Sequence, residues 1–320
     1  MNIDIAVIDQ GYDSYEYEKQ FFKENGYGFD VYSGEHHDVE SKIAFAENAV
    51  GILVRWTQVD EMFLKRLPKL KAIVRYGVGY DNIDIAAAQR RGVRVANVQS
   101  YANNAVSDHA LALLLGCSRL LPLGQRSLKA DFGKPPSKDI VELAEKTLGI
   151  IGLGRIGGTL CRKAHPLFGR ILAVDPYIPA ERFSQLGAMP CDLKTLLHES
   201  DAISIHCNLT QETHHLIDGK AFSMMARRPI LVNTARGPII EEVALLDALQ
   251  QDIVHSAGLD VYSDEPPDDE KNSLLSHPRV IATGHYAWYS IRSSEILQTR
   301  AAHNLLGLLQ NAEVEDELQG

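Results

Sequence analysis

The stretch TLGIIGLGRIGGTL, residues 147–160, decides the fold of this 320-residue chain. A β-branched run precedes three glycines, Gly152, Gly154 and Gly157, in G-x-G-x-x-G spacing, and a segment of helical period follows them. The first glycine of such a turn permits its tightness, the second lets a pyrophosphate approach the backbone, and the third lets the helix pack on the strand. The N-terminus of that helix attracts phosphate. The stretch therefore predicts a dinucleotide site.

A glycine turn between strand and helix is common, so the context must support this interpretation. Asp175 in ILAVDPY ends the next strand-like run, 18 residues after Gly157. An acidic residue at about that distance accepts the ribose hydroxyls of a dinucleotide. Its charge repels a 2′-phosphate, and no arginine follows it immediately. We therefore predict NAD as the cofactor, with NADH preferred over NADPH.

Short β-branched runs alternate with longer segments of helical period on both sides of this stretch. Such alternation predicts βαβ units and parallel sheets covered on both faces. The first series is IAVID (5–9), GILV (51–54), AIVR (72–75) and VRVAN (93–97), and the second is LGIIG (148–152), ILAVD (171–175), AISIH (202–206), ILVN (230–233), SAGLD (256–260) and VIAT (280–283). We predict an α/β fold with two doubly wound parallel-sheet domains.

The segment between the two series, residues 103–139, begins as a long apolar helix near 105–121 and continues as an exposed stretch ending in a Pro-Pro loop. A helix this apolar could cross between domains or pack on a second subunit. A further amphipathic helix is expected over 293–310, begun by a serine cap. The acidic last ten residues, 311–320, are expected to fray.

Composition excludes several classes of protein. With 45% hydrophobic and 23% charged residues, long disorder is not expected, and a net charge of −10 disfavours a nucleic-acid partner. The first residues do not resemble a secretory signal, and no apolar run is long enough for a membrane span, so we expect a cytoplasmic protein without a membrane partner. The four cysteines lie far apart and the paired histidines lack a third ligand, so no metal site is expected.

Three polar residues follow strands of the second series: Arg236 in LVNTARGPI, Glu265 in GLDVYSDEPP and His285 in TGHYAW. Each alone is best explained without function, as a surface charge, a loop carboxylate and a partly buried histidine. Ligands of an open α/β sheet bind outside the carboxyl ends of its strands, so all three could converge on the nicotinamide. Together they are the set that carbonyl reduction needs.

The chemistry assigns each residue a role. Hydride transfer to a ketone carbon leaves negative charge on its oxygen, which needs a proton donor and a cation that polarises the carbonyl. Histidine suits the first role, and a carboxylate bonded to it would stabilise the imidazolium. Arginine suits the second role and can also grip a neighbouring carboxylate.

Five motifs in order, RYGVGYDNID, GIIGLGRIG, VNTARG, AGLDVYSDEPP and the segment around His285, resemble the D-isomer-specific 2-hydroxyacid dehydrogenase family. The resemblance covers most of the chain from about residue 48. It implies a Rossmann NAD-binding domain, residues 101–288, inserted in a flavodoxin-like substrate-binding domain, residues 1–100 plus 289–320. It also implies a homodimer built largely on the NAD-binding domain.

Carried over by motif, Arg236, Glu265 and His285 match the family's catalytic residues, and glutamate instead of glutamine at 265 indicates a keto-acid reductase rather than a formate dehydrogenase. Asp260 matches a contact to the nicotinamide amide. The cofactor residues implied are Val106, Gly152, Leu153, Gly154, Arg155, Ile156, Gly157, Asp175, Cys207, Asn208, Leu209, Thr213, Thr234, Ala235 and Asp260. The substrate-binding residues implied are Arg75, Gly77, Val78, Gly79 and Trp288.

Within the family, VRYGVGYDNIDI, ISIHCNLTQETHHLI and HYAWYS most resemble the C-terminal-binding-protein branch. That resemblance implies that Arg75 and Trp288 contact a bound keto acid. From the residues alone, Arg75 could instead be a solvent-facing strand arginine, and Trp288 a core or dimer-surface tryptophan. Gly284 stands where the family usually has proline, so the histidine loop is either more mobile or held by its aromatic neighbours.

Two hypotheses follow. The first is an NAD-dependent oxidoreductase that interconverts a small 2-keto acid and its D-2-hydroxy acid, with His285 as the proton donor and acceptor. The second is an NAD(H)-sensing, corepressor-like scaffold that uses the same fold to bind proteins. The complete catalytic set favours the enzyme.

Overall fold

The structure, a computed structural model, describes residues 3–129, 132–268 and 272–319. The chain divides into two compact units, residues 1–102 with 290–320, and residues 103–289. The strands are β1 (Ile5–Val7), β2 (Phe29–Val31), β3 (Gly51–Val54), β4 (Ala72–Arg75), β5 (Arg94–Ala96), β6 (Thr147–Ile151), β7 (Arg170–Val174), β8 (Met189–Pro190), β9 (Ala202–Ile205), β10 (Ile230–Asn233), β11 (Ser256–Leu259) and β12 (Val280–Ala282). The helices are α1 (Glu16–Glu24), α2 (Val39–Phe45), α3 (Glu61–Lys65), α4 (Ile85–Arg90), α5 (Asn103–Ser118), α6 (Leu121–Ser127), α7 (Arg155–Ala164), α8 (Ala180–Leu186), α9 (Leu193–Glu199), α10 (Gly219–Ser223), α11 (Glu242–Gln250), α12 (Ser273–Ser276) and α13 (Ile291–Leu309).

The first unit is built on a parallel sheet of strand order β2-β1-β3-β4-β5, the flavodoxin-like order. Its middle strands are buried on both faces, as their unbroken apolar sequences require. Asp38, Asp60 and Asp84 cap α2, α3 and α4 in the same way, each accepting a backbone N–H three residues on. Each of these three helices therefore begins at a defined residue after the strand that precedes it.

The second unit is built on a parallel sheet of order β12-β11-β10-β9-β6-β7-β8. The chain reverses direction across the sheet between β6 and β9, which is the switch point where open α/β sheets bind ligands. Apolar clusters cover both faces, one around Ile203 and Leu231 and the other around Leu148 and Val232. The predicted α/β fold with two doubly wound parallel sheets is confirmed.

The sequence analysis did not predict two of the strands, β2 and β8. Each lies at the outer edge of its sheet and keeps exposed residues, Asp30 in β2 and both residues of β8. An edge strand has one neighbour and little burial, so it lacks the apolar run by which the inner strands are recognised. The sequence analysis missed β2 and β8 because both strands are only partly buried.

The apolar helix predicted near 105–121 is interrupted. Helix α5 ends at Ser118, Leu120 adopts a left-handed conformation with φ of 48°, and α6 starts at the next residue, followed by proline. In the part of the chain that the structure describes, no single helix is long and apolar enough to cross a membrane. Only α5 and α6 taken together, bent by 50°, reach such a length and composition.

The expectation of a frayed C-terminus is wrong for the described residues. Helix α13 starts at Ile291, two residues before the predicted start, and Ser290 caps it by accepting from the Ser293 N–H. Beyond the helix, the Leu318 N–H donates to Val95 O at 2.8 Å, which attaches the segment to the edge of β5. The carboxylate of Asp316 is 97% buried and accepts from Arg300 Nη2 at 2.5 Å.

Replacing Arg300 by methionine should lower the free energy of unfolding by roughly 2–4 kcal/mol, because the buried carboxylate of Asp316 would lose its cation. Urea denaturation followed by circular dichroism measures this difference. The control is Arg66→Met, because Arg66 pairs with Glu40 on the surface, where both side chains are more than half exposed. That change should cost less than about 1 kcal/mol. Equal losses would show that the Arg300 contact does not stabilise the C-terminal segment.

Candidate active site

The three glycines of the loop after β6 are required for three different reasons. Gly152 has φ of 89°, and a Cβ there would lie 2.6 Å from the Cys207 N atom. A Cβ on Gly157 would lie 2.0 Å from Gly152 O, so helix and loop touch at that point. Gly154, the N-cap of α7, faces open space, with no atom within 4 Å of a Cβ. The loop is closely packed on the protein side and open on the side where phosphate would approach.

Asp175 has a structural role that the sequence analysis missed. Its Oδ2 accepts the Leu153 N–H at 2.8 Å, and its Oδ1 accepts the Tyr177 N–H at 3.0 Å. The carboxylate therefore fixes the glycine loop in addition to its predicted role. An ionised carboxylate can accept about four hydrogen bonds, so these two contacts leave capacity for ribose hydroxyls.

The segment after β10 carries the predicted nicotinamide contacts. Asn233, 1% exposed, accepts the Ala235 N–H at 3.0 Å and donates from Nδ2 to Arg236 O at 2.9 Å. Between them, Thr234 is 9% exposed and its hydroxyl has no hydrogen-bond partner among the described residues. A buried hydroxyl without a partner is costly, and a bound ligand would satisfy it. Together with the open face of Gly154, this hydroxyl fits the site to a dinucleotide.

His285 and Glu265 form a direct pair, with Nδ1 and Oε2 separated by 2.6 Å. The second carboxylate oxygen, Oε1, accepts the Tyr262 N–H at 3.1 Å. Burial alone would raise the pKa of Glu265, but the hydrogen bond and charge of His285 and smaller effects of the Tyr262 amide and Arg236 hold it below its usual value. The structure thus brings the predicted Arg236, Glu265 and His285 together at one edge of the sheet.

The loop that carries His285 is held by Asp260, a carboxylate that is 1% exposed. Its Oδ1 accepts from Thr283 Oγ1 at 2.6 Å and from the Tyr286 N–H at 3.2 Å, and its Oδ2 accepts from the Ala287 N–H at 2.9 Å. The backbone O of Asp260 also accepts the His285 N–H at 2.8 Å. This bracing role of Asp260 was not predicted.

The same contacts show how the histidine loop is held although Gly284 stands where the family usually has proline. Space around this glycine is open, and the left-handed conformation falls on His285, with φ of 54°. The indole N–H of Trp288 donates to His285 O at 3.1 Å. Of the two alternatives for the loop, the structure favours the second, because Asp260 and Trp288 hold it. Trp288 itself is half-buried, so it is not a core residue.

In the first unit, the loop after β4 presents Arg75 and the predicted glycines. Gly77 has φ of 134°, and a Cβ there would lie 1.7 Å from Arg75 Nη1. The carbonyls of Gly77 and Val78 accept from the Val98 N–H at 3.0 Å and from Asn97 Nδ2 at 2.6 Å. Since C=O and N–H of a trans peptide point in opposite directions, the N–H groups of Val78 and Gly79 face away from those donors.

Asn97 is therefore a further residue that the sequence analysis missed. It lies just beyond β5, is 2% exposed, and its hydrogen bond to Val78 O orients the loop. Its position at the end of the VRVAN run was the available signal. In the ranges 3–129, 132–268 and 272–319, no group of three or more His, Cys, Asp or Glu residues is arranged to hold a metal ion.

A dinucleotide loop at the switch point of a parallel sheet, with an imidazole–carboxylate pair at the same edge, defines the class of nicotinamide-dependent dehydrogenases. The family model described as "D-isomer specific 2-hydroxyacid dehydrogenase, NAD binding domain" matches residues 111–287. The chain belongs to the D-isomer-specific 2-hydroxyacid dehydrogenase family, as its motifs predicted.

Individual relatives agree with this assignment. A D-3-phosphoglycerate dehydrogenase of Archaeoglobus fulgidus is 39% identical over 270 residues, 83% of this chain and 50% of the relative, so the chain spans about half the length of that protein. The glyoxylate/hydroxypyruvate reductase B of Escherichia fergusonii is 36% identical over 83% of both chains. The D-lactate dehydrogenase of Aquifex aeolicus, solved with NAD and lactic acid, superposes with a TM-score of 0.85 at 26% identity and covers 96% of this chain and 95% of its own.

Replacing Gly154 by alanine should weaken NADH binding at least about 10-fold, because the methyl group would occupy the open face and block charge-assisted hydrogen bonds to phosphate. The unfolding free energy should stay within about 0.5 kcal/mol, since a Cβ meets nothing there. Fluorescence titration with NADH and urea denaturation measure the two quantities. Gly219→Ala, another position open to a Cβ, is the control. Unchanged NADH affinity in Gly154→Ala would place the pyrophosphate elsewhere.

Replacing Asp260 by asparagine should lower the unfolding free energy by about 1–3 kcal/mol, since the new NH2 group would face a hydrogen-bond donor. The turnover number should fall as well, because the loop that carries His285 loses the carboxylate that holds it. The exposed Asp264→Asn serves as the control. If stability were unchanged while NADH affinity fell, Asp260 would act on the cofactor alone.

Proposed function

We propose that the protein interconverts a small 2-keto acid and its D-2-hydroxy acid with NAD, and that His285 is the proton donor and acceptor. The observation that carries this proposal is the 2.6 Å contact between His285 Nδ1 and Glu265 Oε2 at the carboxyl edge of a dinucleotide-binding sheet. The relatives named for glyoxylate, hydroxypyruvate and lactate support a small acid as substrate.

In the direction of reduction, NADH held by the glycine loop and Asp175 would supply a hydride to the keto carbon of the substrate. The carboxylate of Glu265 engages Nδ1 of His285, which leaves Nε2 to donate a proton to the keto oxygen. The ionised Glu265 stabilises the imidazolium before transfer, and solvent returns the proton afterwards. Oxidation of the hydroxy acid reverses these steps, with neutral His285 as the base.

Arg236 is assigned to polarise the carbonyl. Its Nη1 donates to Ala235 O at 2.8 Å, and its backbone O is held by Asn233, so its orientation is restricted before substrate binds. A guanidinium carries its N–H donors in a planar fork, which suits the oxygen atoms of a 2-keto acid. A fixed cation next to a developing oxyanion stabilises the transition state without reorganisation.

The substrate carboxylate is assigned to the N–H groups of Val78 and Gly79 and to Arg75. The geometry of the loop supports this, because its carbonyls are engaged by residues 97 and 98. Arg75 Nη1 donates to Tyr76 O at 2.8 Å, which places the guanidinium against the loop. The half-buried side chain of Trp288 is assigned to the substituent of the acid.

The roles of the two parts of the chain, the cofactor preference and the assembly also belong to the proposal. Residues 1–100 with 289–320 bind the substrate, and residues 101–288 bind NAD. Asp175 makes NADH the preferred form, which the ratio of dissociation constants for NADH and NADPH tests. A homodimer is supported by large apolar side chains that are exposed on α5, on α6 and directly after α6: Leu115 (40%), Leu121 (60%) and Leu128 (57%). A cytoplasmic location belongs to the same proposal.

NADH oxidation measured with glyoxylate, hydroxypyruvate, pyruvate, phenylpyruvate and branched 2-keto acids tests the proposed activity. We expect turnover of at least one acid and formation of the D-hydroxy product. If NADH bound but no acid were reduced, the dehydrogenase proposal would fail, and the corepressor-like scaffold would become the better hypothesis.

Replacing His285 by asparagine should lower kcat by at least about 100-fold, because the proton donor is lost. NADH affinity should change less than about threefold, since the glycine loop is intact. The exposed His198→Asn, on α9, is the matched control. A kcat within a fewfold of the unmodified protein would refute the proton-donor assignment.

The same pair determines the dependence on pH. The pKa of Glu265 is held below its usual 4.5, so the carboxylate stays ionised above that value and its stabilising effect is lost only as the pH falls through the lowered pKa. Reduction should therefore lose the contribution of Glu265 only as the pH falls through that lowered value. In Glu265→Gln this decline at acid pH should be absent and the rate lower at every pH, because the amide carries no charge to stabilise the imidazolium. Profiles of kcat/KM against pH that coincide for the two proteins would contradict this role of Glu265.

A further inference from the structure

The loop after β4 contains glycine where the proposed function needs a defined backbone. Gly77 has φ of 134°, and glycine adopts many backbone conformations at little cost. The hydrogen bond from Asn97 to Val78 O holds the far end of the loop. At the near end, Arg75 Nη1 donates to Tyr76 O at 2.8 Å. The position of this guanidinium therefore depends on the peptide group that follows Tyr76.

Tyr76 is anchored in the core of the first unit. It is 2% exposed, and its N–H donates to Val54 O at 2.8 Å. Its ring packs edge to face against that of Tyr12, with ring centres 5.2 Å apart. Its hydroxyl group donates to Glu18 Oε1 at 3.0 Å. The peptide group that accepts from Arg75 is thus held through a buried phenol.

Glu18 joins three elements at its carboxylate. It lies in the first turn of α1 and is 0% exposed. Besides the phenol of Tyr76, which follows β4, it accepts from Gln298 of α13, whose Nε2 lies 3.0 Å from Oε1 and 3.3 Å from Oε2. The same Nε2 donates to Ser14 O at 2.9 Å, just before α1. The carboxylate therefore connects the two helices to the loop after β4.

The partners of this carboxylate are uncharged. The buried Asp9 of the same unit pairs with Lys42 at 2.7 Å, whereas Glu18 is bonded to a phenol and an amide. Burial raises the pKa of Glu18, and the hydrogen bonds from Gln298 and Tyr76 oppose only part of that effect. A buried acid with neutral partners costs stability, and residues that break such a rule are expected where function requires them. Glu18 is therefore explained by what it holds in place.

We propose that Glu18 is a positioning residue for the substrate: through the hydroxyl group of Tyr76 it holds the loop after β4 in the conformation that receives the carboxylate of the 2-keto acid. This inference rests on the proposed function, which assigns that carboxylate to Arg75 and to N–H groups of the loop. Loss of the contact should weaken the binding of the substrate and of the transition state equally. KM should then rise while kcat stays the same.

Steady-state reduction of a 2-keto acid by two variants tests the proposal. Tyr76→Phe removes the hydroxyl group, and Glu18→Gln keeps the shape of the side chain but accepts less strongly. Each should raise KM about 3- to 10-fold, the effect of one hydrogen bond. Both should leave kcat within about twofold. The affinity for NADH should not change, because the glycine loop belongs to the second unit.

A double-mutant cycle shows whether the two residues act through one contact. The variant that combines Glu18→Gln and Tyr76→Phe should raise KM no more than the larger single effect, because both changes break the same hydrogen bond. In urea denaturation, the midpoint of Glu18→Gln should not fall, because this change removes a buried acid and leaves a neutral group of the same shape. A purely structural role predicts a lower midpoint.

Phe22→Leu and Tyr32→Phe are the matched controls. Phe22 is 0% exposed and lies on α1 one turn after Glu18, so its replacement should lower the urea midpoint and leave KM unchanged. Tyr32 is a buried tyrosine of the same unit, directly after β2, and loss of its hydroxyl group should also leave KM unchanged.

Three results would overturn the inference while leaving the proposed function intact: an unchanged KM in both single variants, effects on KM that multiply in the double variant, or an equal rise of KM in Phe22→Leu and Glu18→Gln. The last would show that Glu18 only stabilises α1. If the unmodified protein reduced none of the acids, the proposed function would fail and this inference with it.

Discussion

The carboxylate of Asp260 is the contact on which the proposed catalytic edge of the second unit depends. It stands one residue after β11 and accepts from three donors in the loop that follows β12. His285 adopts a left-handed backbone conformation that residues other than glycine seldom adopt, and these contacts keep it there. Without that constraint, the Nδ1 atom of the imidazole would not be held 2.6 Å from Glu265.

Aspartates that follow strands hold neighbouring loops in both sheets. Asp9 follows β1 and accepts the backbone N–H groups of residues 55–57, and Asp175 follows β7 and accepts N–H groups of residues 153 and 177. In each case an aspartate at a strand end holds a loop at that edge of the sheet. Parallel strands bring all their carboxyl ends to one edge, so short side chains there can reach the neighbouring loop. The loops that carry the candidate binding residues are thereby held in place by the protein itself.

Much of the fold could be predicted because its signals are local. The inner strands are buried on both faces and appear as unbroken apolar runs, and the glycine loop requires a strand before it and a helix after it. The edge strands β2 and β8 lack such runs, and the C-terminal segment is acidic along its length. Its attachment to Val95 and the burial of Asp316 depend on residues distant in the chain, which no local pattern shows.

By itself, the sequence determined the two parallel sheets, the glycine loop and the family, since each follows from residue type, order and spacing. It also singled out Arg236, Glu265 and His285 as candidate catalytic residues. Only the tertiary structure decided which carboxylate braces which loop. Asp9 and Arg55 are separated by 46 positions, and Asp260 and Ala287 by 27. An aspartate after a strand can bind a cofactor, cap a helix or hold a loop, and the residue type is the same in every case. The choice among these roles depends on which backbone N–H groups the fold brings within about 3 Å of the carboxylate.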